Sequence, residues 1–324
     1  MNVLLCFMAI ILACSAVSEH EARKEWEEFQ VKFEKNYKTP VELQRRFSIF
    51  KENLEKFEAH NKLYAEGKVG HFLGVGPFAD MTHEEFANRF GTNIEEIDDS
   101  EFTLYTPLNN TYDIPAAFDW KNIPNCVQRV KDQGQCSSCW AFAAAAALEA
   151  QYGLANHADV ELSEQALVDC SNDYGNFGCN GGLATRAFSY VMNNGIPTAA
   201  SYPYTAYDGT CQPFNSVMKI KSFMTIPSDE SAMLDALWNQ GPIAVSIDAL
   251  GMIKDYSGGV LYDTQCTTST NHAVLVTGFG TEKGQDFWNI KNSYGPHWGE
   301  SGFLRLARGI NNCGITKRPS VPVV

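Results

Sequence analysis

Positive charge is scarce in this chain of 324 residues: 25 Lys and Arg stand against 38 Asp and Glu, for a net charge of −13. That deficit argues against nucleic acid or an anionic membrane surface as a partner. It suits a soluble protein of acidic compartments or secretions. Long apolar runs are also missing. The apolar stretch at residues 3–12 is too short to span a bilayer comfortably. Small residues follow at 13–18, so the segment reads as a secretory signal peptide cleaved after Ala16 or Ser18, although no Lys or Arg leads it. What is not scarce is apolar content, 44% of the chain with 12% aromatic, enough for globular cores. The length exceeds one typical core, so a multipart architecture is expected. Cysteine is plentiful too: ten in all, of which Cys6 and Cys14 leave with the signal segment and eight remain in an oxidising compartment.

The stretch Gln133-Gly134-Gln135-Cys136-Ser137-Ser138-Cys139-Trp140-Ala141-Phe142 opens an alanine-rich segment of high helix propensity. A thiol at the first turn of a helix meets the positive end of its dipole, which favours the nucleophilic thiolate. Two other readings stand beside this one. Cys136-Ser137-Ser138-Cys139 is also a C-x-x-C, which as a redox pair would call for a β-α-β context. The other is that Cys139 is half of a structural disulfide, and the combined motif favours the nucleophile over both. Farther on, Asn271-His272-Ala273-Val274 offers an imidazole, and Trp288-Asn289-Ile290-Lys291-Asn292-Ser293-Tyr294-Gly295 offers an amide. Cys139 precedes His272 by 133 residues and Asn292 by 153.

Together these motifs resemble the papain-like cysteine proteases, in particular the cathepsin L-like branch, whose histidine and asparagine follow the cysteine at about this spacing. The resemblance implies Cys139 as nucleophile, ion-paired as thiolate with a His272 imidazolium. It implies Asn292 as the group that orients the ring, and Gln133 as an oxyanion donor together with the Cys139 backbone N–H. It places Gly181, Gly182, Leu183 and Ala184 along the substrate strand and its main pocket, with Asn271, Tyr294, Trp298 and Arg318 also in the substrate-binding set. It further implies the disulfides Cys136–Cys179, Cys170–Cys211 and Cys266–Cys313. Cys126 is then left as a buried or semi-buried free thiol, or as an intermolecular link. No metal and no cofactor are implied.

The organisation agrees with a precursor. Residues 20–65 read as two charged amphipathic helices broken at Lys38-Thr39-Pro40, with Trp26, Phe29, Phe33 and Tyr37 on one helical face. Glu42 and Arg46 have the spacing of an i,i+4 ion pair. Glu42, Arg46, Phe50, Asn53, Phe57 and Asn61 resemble the interspersed motif of cathepsin L-like propeptides. Residues 72–80 read as a short strand and turn that resemble the second propeptide motif, and Thr82 with Glu85 suggests a capping box. Residues 91–110 are acidic and without period, a linker where maturation would cut, and carry the sequon Asn109-Asn110-Thr111. The expected division is 1–18 signal peptide, 19–111 inhibitory propeptide and 112–324 mature peptidase. Within the last part, helical segments up to about residue 208 give way to strands at 243–247, 273–277 and 287–291. The fold class is α+β, and the resemblance implies two lobes with a cleft between them.

Three departures from the resembled pattern bear on activity: Ser137 where glycine is usual, Tyr294 where tryptophan is usual, and Arg318 where the floor of the main specificity pocket usually carries a small residue. Arg318 would favour acidic substrate side chains, shorten the pocket, or extend to solvent. No cathepsin B-like insertion follows Cys211, so endopeptidase rather than exopeptidase activity is implied. The expected protein is a monomeric zymogen of the secretory pathway, destined for the lysosome or the exterior, the digestive lumen included. Its substrates would be proteins or peptides, and acid would loosen carboxylate contacts of the propeptide, Asp80 among them. A catalytically weak binding protein, and a propeptide that acts alone as an inhibitor, are the alternatives.

Overall fold

A computed structural model of the protein describes residues 18–91, 102–108 and 114–324. The signal segment, most of the acidic linker and the Asn109 sequon lie outside the described residues.

The N-terminal part is built on α1 (Glu19–Lys32) and α2 (Pro40–Ala65). Thr39 caps α2 through its side chain and Pro40 takes the first turn, where a missing N–H costs nothing. Trp26 and Phe29 of α1 pack on Phe47, Phe50, Leu54 and Phe57 of α2 as a separate small core. The four aromatics expected on one helical face are not on one helix. α1 stops at Lys32, Phe33 is its C-cap, and Tyr37 returns from the following loop to stack on Trp26 at 5.4 Å. The Glu42–Arg46 pair is also replaced. Arg46 reaches across to Glu85 at 2.7 Å and to the Asp80 carbonyl at 3.0 Å, while the Glu42 carboxylate accepts from the Lys38 N–H. Arg46 is the better-buried partner of α3, whereas Glu42 sits in the first turn of α2 among unsatisfied N–H groups. α3 (His83–Phe90) opens with the capping box of Thr82 and Glu85.

The larger part divides into a helical lobe and a sheet lobe. The first centres on α4 (Cys139–Asn156), with α5 (Glu164–Cys170) and α6 (Ala184–Asn194) packed around it. Ser163 caps α5. The alanine run of α4 lets its neighbours come close, so the helix is buried along most of its length.

The sheet includes β1 (His71–Leu73), β2 (Thr103–Leu104), β3 (Phe118–Asp119), β4 (Ser222–Thr225), β5 (Ile243–Ile247), β6 (Tyr256–Leu261), β7 (His272–Glu282), β8 (Gln285–Lys291), β9 (Phe303–Ala307) and β10 (Lys317–Val323). Their order is β1-β6-β9-β8-β7-β5-β10-β4-β2, with β3 on β7 and α7 (Glu230–Gln240) against β5 and β7. Segments ahead of residue 114 supply the outer strand at each end of this path. β1 pairs with β6, and β2 pairs in parallel with β4. The segment read as a periodless linker therefore contains a strand. Tyr105 follows it into the core, its hydroxyl donating to Asp235 at 2.5 Å. Burial of one aromatic ring holds this piece where local propensity is silent.

Candidate active site

Cys139 is the first residue of α4, and Ser138 ahead of it is fully buried. The Ser138 and Tyr204 hydroxyls share a 2.6 Å hydrogen bond, and Tyr204 donates on to the Gln133 carbonyl at 2.8 Å. The loop is anchored again at Lys131, whose ammonium bridges the buried carboxylates of Glu149 and Glu164 at 2.6 Å each. The Gln133 side chain is consequently held between two partners. Its amide nitrogen donates to the Cys136 carbonyl at 3.0 Å, and its oxygen accepts from Ser293 Oγ at 2.6 Å. One amide hydrogen is left to serve a ligand.

The histidine and asparagine come from adjacent antiparallel strands. Leu275 pairs with Lys291, so Asn292 lies one step beyond β8 beside the start of β7, where His272 stands. His272 Nε2 is 2.8 Å from Asn292 Oδ1. That oxygen also accepts from the Ser293 N–H at 2.8 Å, which identifies it as the acceptor and puts the ring proton on Nε2. Nδ1 then carries the free lone pair, and it is buried without a hydrogen-bond partner. Tyr294 stacks on the ring with centroids 4.8 Å apart and planes 23° from parallel.

α3 of the N-terminal part closes this region. Phe78, Phe86 and Phe90 meet the Tyr294 ring at 5.0, 6.0 and 5.4 Å. The Ser137 hydroxyl donates to the Arg89 carbonyl at 2.8 Å. The consequence is electrostatic. Burial pushes the Cys139 thiol up to about 11, outweighing the backbone N–H groups of Ala273, Trp140 and Cys139 that favour the thiolate. Burial also drives His272 down to about 4, against the Asn292 bond that supports its charge. In the covered site burial therefore works against charge on both groups, and so against the ion pair expected from the sequence. The helix dipole is real, but desolvation is the larger effect here.

Gly181 and Gly182 follow the Cys136–Cys179 disulfide. Gly181 has φ +112°, and a Cβ on Gly182 would stand 2.6 Å from the Trp140 ring, so packing alone demands glycine there. Leu183 and Ala184 line a tight cavity of about 10 Å³ with Gly182, Thr185, Ser246 and Arg318. The structure also bonds Cys170 to Cys211 and Cys266 to Cys313, and leaves Cys126 and Cys139 as free thiols. Cys126 is fully buried, and burial pushes its thiol up to about 12, an inert state.

Two residues of the expected substrate set are occupied elsewhere. The Asn271 amide donates to Asp248 at 2.6 Å and accepts from the Ala249 N–H at 2.9 Å, so its side chain shapes the loop ahead of His272. Trp298 is wholly buried behind Tyr294 and donates to the Ile253 carbonyl at 3.2 Å. Their sequence neighbourhood was informative and their side-chain direction was not. Sequence reasoning missed the Lys131 clamp, Tyr204 and the aromatic group of α3. The i,i+4 spacing of Phe86 and Phe90 was the one available signal for the last.

Residues 114–323 match the family described as papain family cysteine protease, and residues 26–86 match the cathepsin propeptide inhibitor domain (I29). The chain is 41% identical to cathepsin L1 of Drosophila melanogaster over 340 residues, covering 99% of this chain and 91% of that protein. It is 40% identical to digestive cysteine proteinase 2 of Homarus americanus, covering 98% of this chain and 99% of the other. The solved digestive procathepsin L 3 of the Tenebrio molitor larval midgut superposes with a TM-score of 0.87 at 39% identity, covering 94% of this chain and 99% of that one.

Proposed function

The chain belongs to the papain family and is a cathepsin L-like cysteine endopeptidase made as a zymogen with its own inhibitory propeptide; from that premise we propose how its residues carry the reaction. The supporting observation is the Asn292–His272 bond of 2.8 Å, which presents a free Nδ1 lone pair in the same buried site as Cys139 at the mouth of α4.

When the propeptide leaves, water returns to the cleft and the desolvation that works against charge on both groups falls away. The Cys139 proton passes to His272 Nδ1. The thiolate attacks the scissile carbonyl carbon and forms a C–S bond. The oxyanion takes the free Gln133 amide hydrogen and the Cys139 backbone N–H. The imidazolium gives its proton to the amine nitrogen as the C–N bond breaks. Water then cleaves the thioester, its proton passing to the ring, and the carboxylate product departs. An epoxide thiol inhibitor should label the acid-matured enzyme stoichiometrically, with the label lost in Cys139→Ser. Absence of labelling in the active wild type would refute the assignment.

Arg318 supports an acidic preference at the substrate residue two before the cut. It shares its cavity with Thr185 Oγ1 and Ser320 Oγ, both buried and without hydrogen-bond partners. The two orphaned hydroxyls are donors that a carboxylate would satisfy, and the positive charge of the guanidinium beside them favours an anion. On peptides differing only at that residue, Arg318→Ala should cut the ratio of kcat/KM for Glu over Leu by about tenfold, the usual worth of one charge-assisted hydrogen bond. An unchanged ratio overturns the preference.

The parts are proposed as 1–18 signal, 19–111 propeptide and 112–324 mature monomeric enzyme, acting in a lysosome or an extracellular digestive fluid, with activation by acid. The relatives named digestive proteinases favour such a setting. The carboxylates expected to sense acid are engaged inside the propeptide itself, Asp80 with Lys35 at 2.9 Å and Glu85 with Arg45 and Arg46 at 2.6 and 2.7 Å. Loss of these ion pairs would loosen the propeptide fold rather than a contact with the enzyme.

A further inference from the structure

β1 is the propeptide strand that docks on the outer edge of β6, with His71 opposite Gly259. The backbones are in close contact there, since a Cβ on Gly259 would lie 2.3 Å from the Gly70 carbonyl oxygen. His71 is only 2% exposed. Its Nε2 has nothing better than the Met252 sulfur at 3.3 Å, and its Nδ1 is buried without a partner. A second propeptide histidine, His60 of α2, lies with its ring centroid 4.5 Å away, and its Nε2 is 3.2 Å from the His71 carbonyl oxygen.

Among the described residues, the charged groups around this point are already engaged. Glu300, whose carboxylate accepts from the Gly259 N–H opposite His71 at 3.0 Å, is held by Arg305 at 2.6 Å. Lys68, Glu282 and Lys283 line the adjoining cavity of about 600 Å³. Glu282 is engaged by Arg305 at 2.7 Å and Lys68 by Glu66 at 2.6 Å. On the 3-10 turn that carries Met252, Lys254 holds Asp255 at 2.6 Å. Asp255 acts with the opposite sign, because burial pushes its carboxyl up and its protonation does not aid release.

We propose that His71 is the acid-sensitive latch of the zymogen: protonating its ring, wedged between Met252 and His60, undocks β1 from β6 and begins release of the propeptide. This deepens the acid-activation reading and rests on it. The direction follows from linkage. Burial, and next to it the neighbouring His60, hold docked His71 down at about 4, against an ordinary value of 6.5. The docked form therefore binds fewer protons than the released form. Docking is at full strength above pH 6.5, weakens by up to about tenfold for each unit below it, and reaches its limit near pH 4. The neutral docked ring also explains why the contact holds at the neutral pH of synthesis.

The test uses the full-length zymogen with Cys139→Ala, so that no processing occurs, and reads amide exchange of Val260, whose N–H donates to the Gly70 carbonyl at 2.8 Å. After correction for the intrinsic pH dependence, protection should fall about 100-fold from pH 7 to 4.5. In the same chain carrying His71→Gln it should change by less than about threefold over that range. Loss along the same curve in His71→Gln overturns the latch and leaves acid activation standing. Flat protection with His71 present overturns both. Should the variant not fold, NMR titration of His71 in its parent decides: a midpoint well below the ordinary value supports the proposal, and one at or above it overturns it.

Discussion

Two histidines in this molecule are buried in the same manner and put to different ends. His272 in the cleft and His71 at the β1–β6 edge are 3% and 2% exposed, and each has an Nδ1 without a partner. Burial drives both down to about 4. They differ at Nε2. His272 donates to Asn292, which fixes its orientation once the cover is gone; His71 meets only the Met252 sulfur. The cleft histidine is thus preorganised to accept charge when solvated. The strand-edge histidine has nothing to stabilise charge while docked. Burial silences the first and makes the second responsive to acid.

The comparison can be broken at the cover, at the orienting amide, or at the rim. The largest effect belongs to Phe86→Ala, which removes a fully buried ring from the lid over Tyr294. A loss of about 3–5 kcal/mol should weaken inhibition by the propeptide about 10²- to 4 × 10³-fold, measured as processing rate at neutral pH. If processing stays unchanged, the aromatic lid is not what keeps His272 dry. Next comes Asn292→Ala in the matured enzyme. A freed ring should lower kcat by about tenfold to a hundredfold, part of the full worth of acid–base catalysis, with KM little altered. An unaltered kcat would erase the distinction at Nε2. The smallest is Ser137→Ala, which deletes the donor to the Arg89 carbonyl. About 0.5–1.5 kcal/mol is at stake, a severalfold faster maturation without a change in its pH midpoint. A shifted midpoint would move the acid sensor from the strand edge into the cleft.

Much of this was legible in the chain. The capping box of Thr82 and Glu85, the helix break at Lys38-Thr39-Pro40 and the strands of the sheet lobe follow local patterns that reach only a few residues. Glu42 and Arg46 show the limit of such reading: the spacing was right for a pair, yet Glu85 of another element was the nearer partner. β2 shows it again, because a two-residue strand anchored by Tyr105 has no period to detect. Asn271 was marked by its place beside His272, but its amide turns to Asp248.

By itself the sequence determined the chemistry, since a thiol, an imidazole and two amides at that spacing are covalent facts, and it determined the alternation of helix and strand, since propensity is local. Only the tertiary structure decided which of those groups are charged. Ionisation depends on water and on neighbours across space, and α3, Tyr294 and β6 bring those neighbours from far along the chain.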